Sequence, residues 1–116
     1  MNINRLARLI DGEVLGITYN NQTEINGAYT CDMLSRVVSS IENNTAWITI
    51  LNSINVVAVA SLSECPCVIL AENVKMDSEI LKKADENNIT ILSSPLSAYE
   101  ICGLIYQALE NNNEKV

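Results

Sequence analysis

Apolar positions along this chain recur with more than one period, and the period changes at polar breaks. Ile3, Leu6, Ala7 and Ile10 stand at helical spacing, which predicts a short first helix over 3–10. Asp11-Gly12 ends it, and Glu13 to Tyr19, with its β-branched residues, reads as a strand. Turns follow at Asn20-Asn21-Gln22 and Asn26-Gly27, with a short extended piece at Thr23-Glu24-Ile25 between them. From Tyr29 the spacing is helical again. Met33, Leu34, Val37, Val38 and Ile41 share one stripe, and Asn43-Asn44 closes it.

Ala46 to Leu51 is almost continuously apolar, as a strand buried on both faces is. Ile54 to Ala60 has the composition of a strand too, yet Cys67 to Ala71 follows close behind with the same character. Parallel neighbours need a crossover between them, so 54–62 is assigned as a buried helix and 67–71 as the next strand. Asp77 is placed to cap a helix that buries Ile80, Leu81 and Ala84, turns Lys82, Lys83, Asp85 and Glu86 to water, and stops at Asn87-Asn88. Ile89 to Ser93 reads as a strand. Ser97-Ala98-Tyr99-Glu100 is a capping box, and Ile101, Leu104, Ile105, Ala108 and Leu109 form the stripe of a last helix. Gly103 inside that helix costs about 1 kcal/mol against alanine, a cost that close helix packing would offset.

This alternation of strand and helix specifies an α/β fold. The expected architecture is one three-layer domain over 1–110, with a mostly parallel sheet and helices on both faces, followed by a disordered tail at 111–116. Ligands of such sheets sit beyond the carboxyl ends of the strands. The candidate ligand-binding residues are therefore Asn52, Ser53, Asn55, Ser93 and Ser94, with Glu72 and Asn73 nearby.

Composition narrows the chemistry. The 116 residues carry 14 acids against 7 bases, a net charge of −7, which leaves no cationic face for nucleic acid. Histidine is absent, which removes imidazole catalysis and histidine-containing metal sites. Cys65-Pro66-Cys67 has one residue between its thiols, neither a thioredoxin-type nor a zinc-knuckle spacing, and Cys31 and Cys102 fall in helical patterns. The four thiols are read as small buried hydrophobes, with no metal and no cofactor expected. Glu64 beside Cys65 and Cys67 is a local acid–thiol pairing, and sequence adjacency does not bring two side chains together. No secretory-type segment and no bilayer-length apolar run is evident, so the expectation is a cytoplasmic protein without membrane contact.

Two stretches carry a family resemblance. One is Ala46-Trp47-Ile48-Thr49-Ile50-Leu51-Asn52-Ser53-Ile54-Asn55-Val56-Val57-Ala58-Val59-Ala60. The other runs from Cys67-Val68-Ile69-Leu70 through Asp77 to Ala84 and on to Asn88-Ile89-Thr90-Ile91-Leu92-Ser93-Ser94-Pro95-Leu96-Ser97. Together with Gly27 to Ser35 they resemble the DRTGG domain, a module related to the N-terminal domain of HPr kinase/phosphorylase, over roughly residues 13 to 108. The resemblance implies a regulatory, ligand-sensing or dimerisation module, found beside nucleotide-sensing CBS domains in pyrophosphatases. Kinase activity in the relatives belongs to a separate P-loop domain, and this chain has no Gly-x-x-x-x-Gly-Lys-Ser/Thr string. It also lacks a contiguous Asp-Arg-Thr-Gly-Gly, and Ser93-Ser94-Pro95 stands where relatives carry a glycine-rich turn.

The function expected is thus non-catalytic: regulatory sensing of a nucleotide or other small anionic metabolite, as a homodimer. The alternative is a phosphorylation-controlled adaptor for a partner kinase or redox enzyme, with Ser53 or Ser61 as acceptor.

Overall fold

The central strands explain the architecture, because their side chains have nowhere to go but two opposite cores. The computed structural model describes residues 1–19 and 21–114. Its elements are α1 (Ile3–Leu9), β1 (Glu13–Val14), β2 (Gly27–Thr30), α2 (Leu34–Ser40), β3 (Thr45–Thr49), α3 (Ile54–Leu62), β4 (Cys67–Leu70), α4 (Ser78–Glu86), β5 (Thr90–Ser93) and α5 (Ala98–Glu114). Every residue of β3, β4 and β5 is buried. Alternation sends Ala46, Ile48, Cys67, Ile69 and Leu92 into a core with α1 and α5. Trp47, Val68, Leu70 and Ile91 go into a second core with α2, α3 and α4. A period of two on strands covered on both faces thus accounts for runs that look uniformly apolar.

The described strands form one sheet in the order β1-β5-β4-β3-β2. β2, β3, β4 and β5 are parallel, and β1 is antiparallel to β5 with Glu13 opposite Ser93. Each crossover from β2 to β5 steps the same way across the sheet, so a common hand places α2, α3 and α4 on one face. α5 leaves β5 and returns over β3 and β2 on the other face, beside α1. The architecture is the expected three-layer α/β domain.

Three local expectations need correction. The chain from Tyr29 is not yet helical. Gly27–Thr30 pairs with Thr45–Ile48 as an edge strand, and the helix begins only at Leu34. The indole of Trp47 holds that junction by donating to the Cys31 carbonyl at 2.9 Å.

The strand expected over 13–19 stops at Val14. The carboxylate of Asp85 takes the backbone N–H groups of Ile17 (3.2 Å) and Thr18 (2.9 Å) and the Thr18 hydroxyl (2.6 Å), and of these the Ile17 N–H is the donor that continued pairing would have used. A Cβ at position 16 would sit 2.7 Å from Asp85 Oδ1, so any residue but glycine would push that carboxylate off its donors.

Gly103 is exposed, and nothing lies within 4 Å of where its Cβ would be, so packing within the chain does not offset its cost. The capping box of α5 does form, with the Glu100 N–H donating to Ser97 Oγ and the Ser97 N–H to Glu100 Oε1, both at 3.2 Å. α5 continues through Asn111 to Glu114, and residues 115 and 116 of the expected tail lie outside the described residues.

Candidate functional site

The carboxyl ends of the four parallel strands meet along one rim. Loops after β3, β4 and β5 supply it, and hydrogen bonds between those loops set its shape. Asn52 follows β3 and donates its amide to the Lys75 carbonyl at 2.7 Å. Lys75 follows β4. Its ammonium reaches Glu13 Oε1 at 2.9 Å and Ser93 Oγ at 3.2 Å. Ser93 ends β5 and donates its hydroxyl to the Val74 carbonyl at 2.7 Å. Lys75 is therefore the hub of the rim. Sequence reasoning passed over it, although a lone cation just past the end of a buried strand was the available signal.

Ser53 and Asn55 sit beside Asn52 at the start of α3. Both are exposed, and Ser53 is the N-cap residue without a side-chain cap bond. Their place at a helix N-terminus leaves backbone N–H groups facing outward. On the far side of β3, Asp32 accepts the Thr49 hydroxyl at 2.6 Å and the Ile50 N–H at 3.2 Å, tying the loop after β2 to the same rim. Glu72 and Asn73 turn the chain beyond β4 with left-handed backbones, φ 56° and 63°. Their N–H groups bond to the carbonyls of Leu96 and Ser94, both at 2.8 Å, which offsets the strain of that conformation.

Ser94 is not brought to this rim. Consecutive strand residues face opposite ways, so Ser93 points toward α4 and Ser94 toward α1. Ser94 is fully buried, and its hydroxyl donates to the Ile10 carbonyl at 2.6 Å. The rim thus assembles Asn52, Ser53, Asn55 and Ser93 around Lys75 and leaves Ser94 behind the sheet. Glu13 pairs with Lys75, and Asp32, Glu72 and Asp77 lie on loops of the same edge, so the rim carries more acid than base while its amides and helix N–H groups are donors. Of the two hydroxyls considered as phosphate acceptors, Ser53 is exposed on this rim. Ser61 lies at the opposite end of α3, 3.3 Å from Asn87 Oδ1.

The thiols stand apart. Cys65 and Cys67 flank the amino end of β4 and enter different cores, Cys65 the one with Trp47 and Cys67 the one with Ile48. Burial pushes the Cys65 thiol up to about 11, against the opposing pull of backbone hydrogen bonds, and pushes Cys67 well above the ordinary thiol range. Both are neutral near pH 7 and make poor nucleophiles. Among the described residues no three Cys, Asp or Glu side chains are grouped to hold a metal ion. No described helix is long and apolar enough to cross a membrane.

Apart from the rim, a concave surface lies between β2 and α5. It is a groove of about 930 Å³ lined by Gly27, Ala28, Tyr99, Leu104, Tyr106 and Glu110, among others.

A mostly parallel sheet covered on both faces, with a polar rim at its carboxyl edge, defines a three-layer α/β module. More narrowly, the chain belongs to the DRTGG domain family, whose model matches residues 5–108. The match begins earlier than the resemblance read from sequence, and α1 does pack in the same core as the sheet. Among solved structures the chain is similar to the CBS and DRTGG domains of the regulatory region of Clostridium perfringens pyrophosphatase, complexed with the activator diadenosine tetraphosphate. The likeness has a TM-score of 0.72 at 16% identity and covers 93% of this chain and 47% of that one. This chain thus spans about half the length of that relative. No curated protein matches it.

Proposed function

We propose that the chain is a non-catalytic regulatory module that senses a small ligand, a nucleotide or another anionic metabolite, at the carboxyl rim of its sheet, and that it works as a homodimer. The observation that carries this reading is the convergence of loops from three parallel strands on Lys75, next to the open N-terminus of α3. A ligand that displaced the Lys75 ammonium from Glu13 and Ser93 would alter three loops at once, as a sensor requires. The nucleotide-bound relative supports the ligand class. Because Glu13 competes for Lys75, a polyphosphate binds here best with a divalent cation carried on its own phosphates.

The test is a thermal-shift screen of the chain against mononucleotides, dinucleoside polyphosphates and phosphorylated metabolites, with and without Mg²⁺. A ligand at 100 times its dissociation constant adds about 2.7 kcal/mol, which raises Tm by about 10 °C in a domain of this size. Asn55→Ala and Ser53→Ala abolish the shift if the rim is the site. A screen blank for every anion in both conditions rejects the reading.

A further inference from the structure

α1 and α5 lie side by side on one face of the sheet and carry charge of opposite sign. α1 contains Arg5 and Arg8 and no acid, whereas α5 contains Glu100, Glu110 and Glu114 and no base. On the side of α5 away from α1 runs the groove of about 930 Å³ against β2. Its wall holds Tyr99 at 88% and Tyr106 at 70% exposure, a large aromatic surface to leave in water. Among the described ion pairs none involves Glu100, Glu110 or Arg8. Gly103 faces the same groove, with nothing in its own chain approaching it.

We propose that a second copy of this chain closes the groove, in a two-fold arrangement that lays α1 of each copy, with Arg8, across the tyrosine- and glutamate-walled groove of the other. The inference rests on the homodimer reading above and assigns its surface. Charge selects the occupant. The face is basic on one helix and acidic on the other, so a two-fold axis running near α5 sets base against acid twice over. Arginine fits this groove in both of its chemistries, since it pairs with carboxylates and stacks on tyrosine rings. Area is sufficient as well. α5 has 17 residues, about 25 Å at 1.5 Å per residue, and with α1 beside it the face is on the order of 600 Å². Specific interfaces begin at about 500 Å² per partner. A close approach of helices at the two-fold would also account for glycine at position 103.

Sedimentation equilibrium of the full chain, from about 1 µM to about 1 mM, reads the association directly. The expected result is a reversible dimer. Tyr106→Glu raises its dissociation constant by about 30-fold or more, the effect of losing a central aromatic anchor. Arg8→Glu and Glu110→Arg each weaken it, and the double variant recovers most of the loss. Far-UV circular dichroism confirms that these exposed-site variants fold. A strictly monomeric wild type overturns this proposal together with the homodimer reading. A dimer that none of the variants weakens overturns the assigned face and leaves the dimer standing. A double variant no tighter than the single ones overturns the pairing of α1 with the groove.

Discussion

Asp85 shows how much one side chain can decide. Its carboxylate takes two backbone donors and a hydroxyl from the segment after β1, and so stops a strand and turns the chain out of the sheet. Burial alone would raise its carboxyl, but the Thr18 hydroxyl and the N–H groups of Ile17 and Thr18 outweigh burial and hold it below the usual carboxylate range. A depressed folded value adds stability that is present above the unfolded value, about 3.9, and lost as pH falls through the folded one. Urea titrations are therefore expected to show wild-type stability dropping as pH falls below about 4. Asp85→Ala, at neutral pH, loses roughly 1–2 kcal/mol and shows a shallower acid dependence. The same clasp holds Ile17 out in water at 89% exposure, an apolar side chain fixed in place by polar bonds two atoms away.

At the scale of elements, what could be read from sequence follows the strength of each period. The crossover helix at 54–62 ends where expected, although its residues have strand composition, because parallel neighbours leave no other solution. α4, β5 and α5 were legible from their stripes, and α5 also from its capping box, whereas Asp77 stands at the N-cap of α4 without a side-chain cap bond. β2 was not: Gly27-Ala28-Tyr29-Thr30 alternates in burial, but its half-buried positions are a glycine and a tyrosine rather than aliphatic residues, and its ladder to β3 makes it a strand. The candidate site divides in the same way. The rule that ligands sit at strand carboxyl ends found Asn52, Ser53, Asn55 and Ser93. It also admitted Ser94, whose orientation depends on register, and it missed Lys75, whose role depends on contacts with Glu13 and Ser93 far along the chain. Gly103 offers a prediction at this scale. In dilute solution, where the monomer is the reference, Gly103→Ala is expected to stabilise the fold by roughly 0.5–1 kcal/mol, measured by urea unfolding, because an exposed helical glycine lacks both contacts and stiffness.

The whole molecule is a sheet built in chain order from β2 to β5, with one exception at its edge. β2 meets β3, β3 meets β4 and β4 meets β5, so each parallel pairing spans one crossover. β1 instead waits for β5, with Glu13 opposite Ser93, a closure of 93 − 13 = 80 residues. Short closures come first on entropic grounds, and a long one forms only when a surface is ready to receive it. Pulse-labelled refolding is expected to protect amides of β3 and β4 ahead of Leu15, whose N–H bonds to the Ile91 carbonyl at 2.9 Å. Equal protection times across the sheet would contradict that order. On the ribosome the consequence is sharper. Residues emerge from the amino end, yet β1 pairs with β5, which is made after every other described strand. β1, made well before the strand it pairs with, thus waits for its place in the sheet, and the Lys75 hub, which bonds to Glu13 and Ser93, comes together only once β5 is there.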